Sequence, residues 1–243
     1  MATVDHHGAR NHPGTHGAVR YPQPLGGPSV TNSGKTTLTD SLRKALPNCC
    51  VIHQDDFFKP QDQIAVGEDG FKQWDALASL DMEAMLGTVQ AWLSSPQKFA
   101  RSHGVRVQPG APDVHILLLE GFLLYSFRPL LDLYSRRYFL RVPYEECKWR
   151  RSTRSYPVPD PPGLFDGHVW PMYQKYKREM EANGVEVVQL DGTQPRDVLF
   201  LQVLGDIQNS LLNQESSPRM ASPGQAASHC VATSPLGTSL KRV

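Results

Sequence analysis

The sequence is short of several things, and each shortage excludes a class of protein. Its four cysteines (Cys49, Cys50, Cys147, Cys230) form neither a disulfide framework nor paired C-x-x-C metal spacing. A reducing, cytoplasmic compartment is the expectation. Neither sign of charge is in excess, since the formal net charge is +1. That balance gives no reason to expect bulk electrostatic binding to nucleic acid or to a membrane surface. No apolar run reaches membrane-spanning length. The polar, His-rich residues 1–21 lack a signal-peptide core. His6, His7, His12 and His16 lie among Gly, Pro and Asn without partner carboxylates, which speaks for adventitious rather than built metal binding. Residues 1–28 are expected to be a disordered leader. Residues 214–243, rich in Ser, Pro, Ala and Gly, are expected to be a disordered tail.

Between these ends the pattern is regular. Leu38, Leu42 and Leu46 form one apolar stripe at helical spacing. A short buried strand follows at 49–53. Met82, Met85, Leu86, Val89 and Leu93 mark a second amphipathic helix. Residues 96–113 read as a surface connection carrying Pro and Gly. The run 116–119 is apolar throughout, as a strand buried on both faces requires. A strand at 138–142, a basic helix at 145–154, a helix at 166–182, a strand at 185–190 and a helix at 195–212 complete the order. Strands alternating with helices imply an α/β fold, a doubly wound parallel sheet flanked by helices.

The central stretch is 30–37. Gly34, Lys35 and Thr36 fit the end of the pattern G-x-x-x-x-G-K-[ST], whose glycine-rich loop cradles phosphates on backbone N–H groups. Residues Thr31, Asn32, Ser33, Gly34, Lys35, Thr36 and Thr37 are thus candidates for binding ATP. Lys35 would reach the terminal phosphates and the Thr36 hydroxyl would ligate Mg²⁺. The alternative is a solvated turn before a helix. Two features depart from the pattern. Ser29 stands where the first Gly belongs, and a Gly-only backbone there would cost about 1–3 kcal/mol. The segment that should be the feeding strand carries Pro22, Pro24 and Pro28, which a central strand does not accommodate.

Downstream, carboxylates and arginines fall where phosphoryl transfer needs them. Asp55 and Asp56 follow a strand, at the rim where open α/β sheets bind ligands. A kinase acting on a hydroxyl needs a carboxylate there to accept the proton and help hold the metal. Strand-end capping is the alternative. Glu120 ends the apolar run 116–119 and would be a second metal ligand, or merely a polar residue where a strand meets solvent. Lys148, Arg150, Arg151 and Arg154 share a helical stretch and would neutralise phosphate charge in a closing lid at about 145–163; a solvated helix face is the competing reading. Trp74-Asp75 would stack a base and hold ribose hydroxyls, or be a half-buried Trp beside an N-cap. Asp166 reads as an N-cap and His168 as packing.

Several long strings then match one family in order. They are Val30-Thr31-Asn32-Ser33-Gly34-Lys35-Thr36-Thr37, Gln54-Asp55-Asp56-Phe57-Phe58-Lys59-Pro60, Leu119-Glu120-Gly121-Phe122, Arg150-Arg151-Ser152-Thr153-Arg154 and Asp166-Gly167-His168-Val169-Trp170-Pro171-Met172-Tyr173. Over about residues 30–212 the chain resembles the nicotinamide riboside kinases. The resemblance implies a P-loop kinase fold like that of uridine and other nucleoside kinases. It implies ATP- and Mg²⁺-dependent phosphorylation of the 5′-hydroxyl of nicotinamide riboside, and of nicotinic acid riboside, toward NAD. By position it makes Asp55 the catalytic proton acceptor, with Thr36, Asp55 and Glu120 at the metal. It places Asp55, Asp56, Phe57, Phe58, Trp74, Asp75, Arg151 and Tyr156 at the riboside. It places Arg150, Arg154, Ser155 and Tyr156 with ATP, and 194–196 near its base. Two other readings compete: a kinase for another nucleoside, and an impaired variant acting through protein contacts.

Overall fold

A computed structural model of the chain describes residues 22–26, 33–105, 114–153 and 159–216. Five strands form one sheet: β1 (Pro22–Gly26), β2 (Cys49–His53), β3 (Ile116–Gly121), β4 (Tyr138–Arg141) and β5 (Val188–Asp191). Their order is β2-β3-β1-β4-β5 and every pairing is parallel. The chain winds first toward β2 and later toward β4 and β5. The reversal falls at β1 and β3, so the carboxyl ends of these strands open the crevice where such sheets bind ligands.

The helices cover both faces. Successive side chains of a strand point to opposite sides, and β3 divides accordingly. Leu117 and Leu119 join Cys50, Ile52 and Phe139 beneath α2 (Met82–Ser94), α3 (Pro96–Ser102) and α6 (Trp170–Ala182). Ile116 and Leu118 join Cys49, Tyr138 and Leu140 beneath α1 (Lys35–Ala45) and α7 (Arg196–Ser216). Every residue of β3 is buried, as its apolar run requires. The short α4 (Arg128–Leu131) and the basic α5 (Tyr144–Thr153) complete the set. Cys49, Cys50 and Cys147 are free and buried. No helix among the described residues is long and apolar enough to cross a membrane.

Three expectations need correction. The proline segment does serve a central strand, and the sheet extends before Pro28. A parallel strand turns the N–H groups of alternate residues toward opposite neighbours. Pro22 and Pro24 share one parity, so the donors they lack all belong to one side. The register has the matching asymmetry: all five residues of β1 align with β3, while Leu25 alone aligns with β4. Residues 96–102 are a helix rather than a surface connection. Pro96 opens it at a position that needs no donor, and Phe99 and Ala100 are buried under the sheet. The helix expected from Asp166 begins instead as a π-helical turn, Phe165–Val169, and Asp166 does not cap it.

Candidate active site

Gly34 closes the phosphate-loop motif with φ of 98°, a left-handed conformation that a side chain would strain. Helix α1 starts at the next residue, and its first turn holds no acidic side chain. The first turn of a helix directs its N–H groups and the positive end of its dipole outward, here toward the phosphate loop. Ser33, Gly34, Lys35, Thr36 and Thr37 line a cavity of about 1010 Å³. Its other walls are α5, through Glu146, Trp149, Arg150 and Thr153, and the β5–α7 turn with the start of α7, through Gly192, Gln194 and Arg196. Arg150 ties these parts together. Its guanidinium donates to the Ser33 carbonyl (3.3 Å), the Gly192 carbonyl (2.9 Å) and the Glu146 carboxylate (2.6 Å). Thr31, Asn32, Arg154, Ser155 and Tyr156, like Ser29, lie outside the described residues.

A polar cluster stands at the carboxyl ends of β2 and β3. The Thr36 hydroxyl donates to Glu120 Oε1 at 3.2 Å. His53 Nδ1 lies 2.6 Å from Glu120 Oε2. His53 and Glu120 are register partners on adjacent strands, which is why the imidazole meets the carboxylate. Burial pushes the Glu120 carboxyl up. His53, Lys35 and Thr36 together outweigh burial and hold it below the usual range. The hydrogen bond to Glu120 in turn raises His53. Glu120 is thus an ionised oxygen donor at the phosphate loop, fit for a hard divalent cation beside the Thr36 hydroxyl.

Asp55 follows on the same rim, in the helical turn Gln54–Phe57 that ends β2. It opens to solvent, but protein crowds its inner side. Burial raises its pKa, Lys35 opposes the rise, and Glu120 adds to it. The turn is pinned by Gln54, whose Oε1 accepts from the N–H groups of Phe122 (2.9 Å) and Leu123 (2.8 Å). A Cβ on Gly121 would lie 2.5 Å from Gln54 Cβ and Oε1. This close approach needs glycine where β2 and β3 end together. Asp56 is exposed beside Asp55, and Phe57 packs against the core below.

On the β2 side of this rim, Phe58 meets Trp74 edge-on at 5.5 Å and stacks on Phe122 at 5.7 Å. Asp75 is half-buried next to Trp74. Burial raises its pKa against the charges of His168 and Arg151. Arg151 donates twice to Asp160, through Nε (2.5 Å) and Nη2 (2.9 Å). His168 is buried. Its Nδ1 lies 2.7 Å from Asp69 Oδ2 and its Nε2 3.7 Å from Asp75 Oδ2. It therefore does more than pack: it ties the π-helical turn that leads into α6 to the loop carrying Trp74 and Asp75. The Asp166 carboxylate accepts hydrogen bonds from Lys148 Nζ (2.7 Å) and the Tyr144 hydroxyl (2.6 Å).

No family model matches the chain. Nicotinamide riboside kinase 2 of Homo sapiens is 81% identical over 198 residues, covering 81% of this chain and 86% of that protein. The chain belongs to the nicotinamide riboside kinase family. Within the family, nicotinamide riboside kinase 2 of Mus musculus is 78% identical over 184 residues, covering 76% of this chain and 94% of that protein. Nicotinamide riboside kinase 1 of Mus musculus is 52% identical over 185 residues, covering 76% and 93%. Among solved structures, a possible uridine kinase from Bacillus stearothermophilus aligns with a TM-score of 0.46 at 16% identity, over 73% of this chain and 92% of that one.

The site holds residues that local sequence did not flag. Glu146 and Gly192 hold Arg150, His53 holds Glu120, and Asp69 holds His168. Only the strand register pairs His53 with Glu120, so no local motif announces it. Glu146 stood four residues before Arg150, a spacing that pairs side chains on a helix.

Proposed function

We propose that this chain phosphorylates the 5′-hydroxyl of nicotinamide riboside, and of nicotinic acid riboside, using ATP. The observation that carries the reading is the convergence of Lys35, Thr36, Glu120 and Asp55 at one sheet rim, in a chain of this family. Asp55 is the proton acceptor. As the 5′-oxygen bonds to the γ-phosphorus, the bond from phosphorus to ADP breaks and the hydroxyl proton passes to the Asp55 carboxylate. A carboxyl pKa raised by burial makes a stronger base than an exposed aspartate. Lys35 and Arg150 face the phosphates and offset their charge. Thr36, Glu120 and Asp55 are the oxygen donors we assign to Mg²⁺, which when bound neutralises phosphate charge. Arg154, Ser155 and Tyr156 are assigned to ATP with Thr31 and Asn32, on the family resemblance.

The riboside lies on the other side of Asp55. Phe58 and Trp74, set edge to face, offer an apolar aromatic corner against which a nicotinamide ring would pack. Asp75 and Arg151 take the ribose hydroxyls, with Asp56, Phe57 and Tyr156 completing the pocket. The kinase unit runs from Pro22 to about residue 213. A first strand seated in the middle of the sheet removes the main motive for the reading as an inactive interaction protein. The experiment is to supply purified protein with ATP and, separately, nicotinamide riboside, nicotinic acid riboside, uridine and cytidine. The expected outcome is mononucleotide from the two pyridine ribosides with at least tenfold higher kcat/KM than from the pyrimidine ribosides. Preferred turnover of uridine or cytidine refutes the substrate assignment, and no turnover refutes the activity.

A further inference from the structure

Trp149 is a bulky apolar side chain left 60% exposed, and it is a wall of the phosphate-loop cavity. Its place on α5 is not accidental. Glu146, Trp149, Arg150 and Thr153 recur at i, i+3, i+4 and i+7, which is one face of a helix. All of them line the same cavity. Arg150, in the middle of that face, fixes its distance from the loop by donating to Ser33 and Gly192. The Ser152 and Thr153 hydroxyls donate back to the Trp149 carbonyl and firm the end of the helix. Gln194, in the β5–α7 turn, and Arg196, at the start of α7, add polar lining to the same cavity. The phosphate loop is the cationic end of the cavity. Trp149 is an aromatic surface on another wall, and the reaction proposed above gives it no task.

We propose that Trp149 is the platform for the nucleobase of ATP, stacking on the base while the phosphate loop holds the phosphates. The inference rests on the reading of this cavity as the ATP site. An indole attracts a base through area and π-contact, with little dependence on which base it is. An exposed indole is unfavourable in the free protein and is covered when the base lies on it.

The test is calorimetric titration of the full chain, at constant Mg²⁺, with two probes: ATP and inorganic tripolyphosphate, which has phosphates but no base. Trp149→Ala is expected to weaken ATP about tenfold or more, the scale of one base–aromatic stack. It is expected to leave tripolyphosphate affinity and the riboside KM within twofold. Trp149→Phe should keep most of the ATP affinity. Equal ATP affinity in wild type and Trp149→Ala overturns the inference. So does a parallel loss of tripolyphosphate affinity, because the side chain would then support the wall rather than the base. Lys35→Ala separates the two layers of the argument. If it leaves both probes' affinities unchanged, the cavity is not the ATP site and the inference falls with that reading.

Discussion

Replacing Gly121 with Ala perturbs the site at its hinge. The added Cβ would meet Gln54 Cβ and Oε1 at 2.5 Å and Gln54 Cδ at 2.9 Å. Gln54 is fully buried and its Oε1 accepts two backbone N–H groups, so it has nowhere to retreat without losing them. Overpacking of this kind costs about 1–3 kcal/mol. Weakening two buried hydrogen bonds adds about 1–2 kcal/mol. The sum, about 2–5 kcal/mol, corresponds to a fall in Tm of roughly 4–20 °C for a domain of this size. Function should fall with it, because Asp55 follows Gln54 and Glu120 precedes Gly121. Thermal unfolding by circular dichroism, with kcat measured well below the new Tm, checks both parts. Gln54→Ala in the Gly121→Ala background should relieve only part of the loss, since the Gln54 Cβ is itself a blocking atom. A Gly121→Ala protein melting within 2 °C of wild type would refute the packing argument.

Other perturbations separate stability from function. Asp75→Asn should raise stability near pH 7 while raising the riboside KM. Burial lifts the Asp75 pKa above its unfolded value, so its stabilising contribution is present below about pH 4 and is lost as pH rises through the folded pKa. The Tm advantage of the Asn variant in melts across pH should therefore shrink toward pH 4; an advantage that grows on acidification contradicts the sign. His168→Ala should speed hydrogen exchange in residues 61–76 and raise the riboside KM, with the ATP KM nearly unchanged, because the imidazole holds Asp69. Unchanged exchange there would show that the loop does not depend on His168. Tyr138→Phe removes a donor to Asp206 at 2.6 Å, away from the rim, and should cost about 1.5–3 kcal/mol in denaturant unfolding with kinetics unchanged.

Much of this was legible from the chain. The leucine stripe of α1, the apolar run of β3 and the strand-helix alternation follow from residue periodicity. Asp55, Glu120 and Arg150 were findable because each follows or joins an element whose pattern is strong. The central strand was not legible. Its prolines argue against a sheet when read singly, and only their shared parity, seen with the neighbours in place, shows how the ladder can accept them. The partners that hold the site were hidden for a related reason. His53 reaches Glu120 across 67 residues, and His168 reaches Asp69 across 99. Such contacts depend on register and packing, which local spacing does not encode. An Asp at the head of a helical pattern normally caps it, whereas here the helix starts earlier and the Asp166 carboxylate turns to Lys148 and Tyr144.

The most direct test of the central claim is the initial rate of nicotinamide mononucleotide formation from nicotinamide riboside and ATP, in wild type and Asp55→Ala, each shown to be folded by its melting curve. Saturable turnover is expected in wild type, with a loss of at least about a hundredfold in kcat for the variant, the scale of a removed general base. An Asp55→Ala protein that keeps its fold and turns over within a few-fold of wild type would contradict the account.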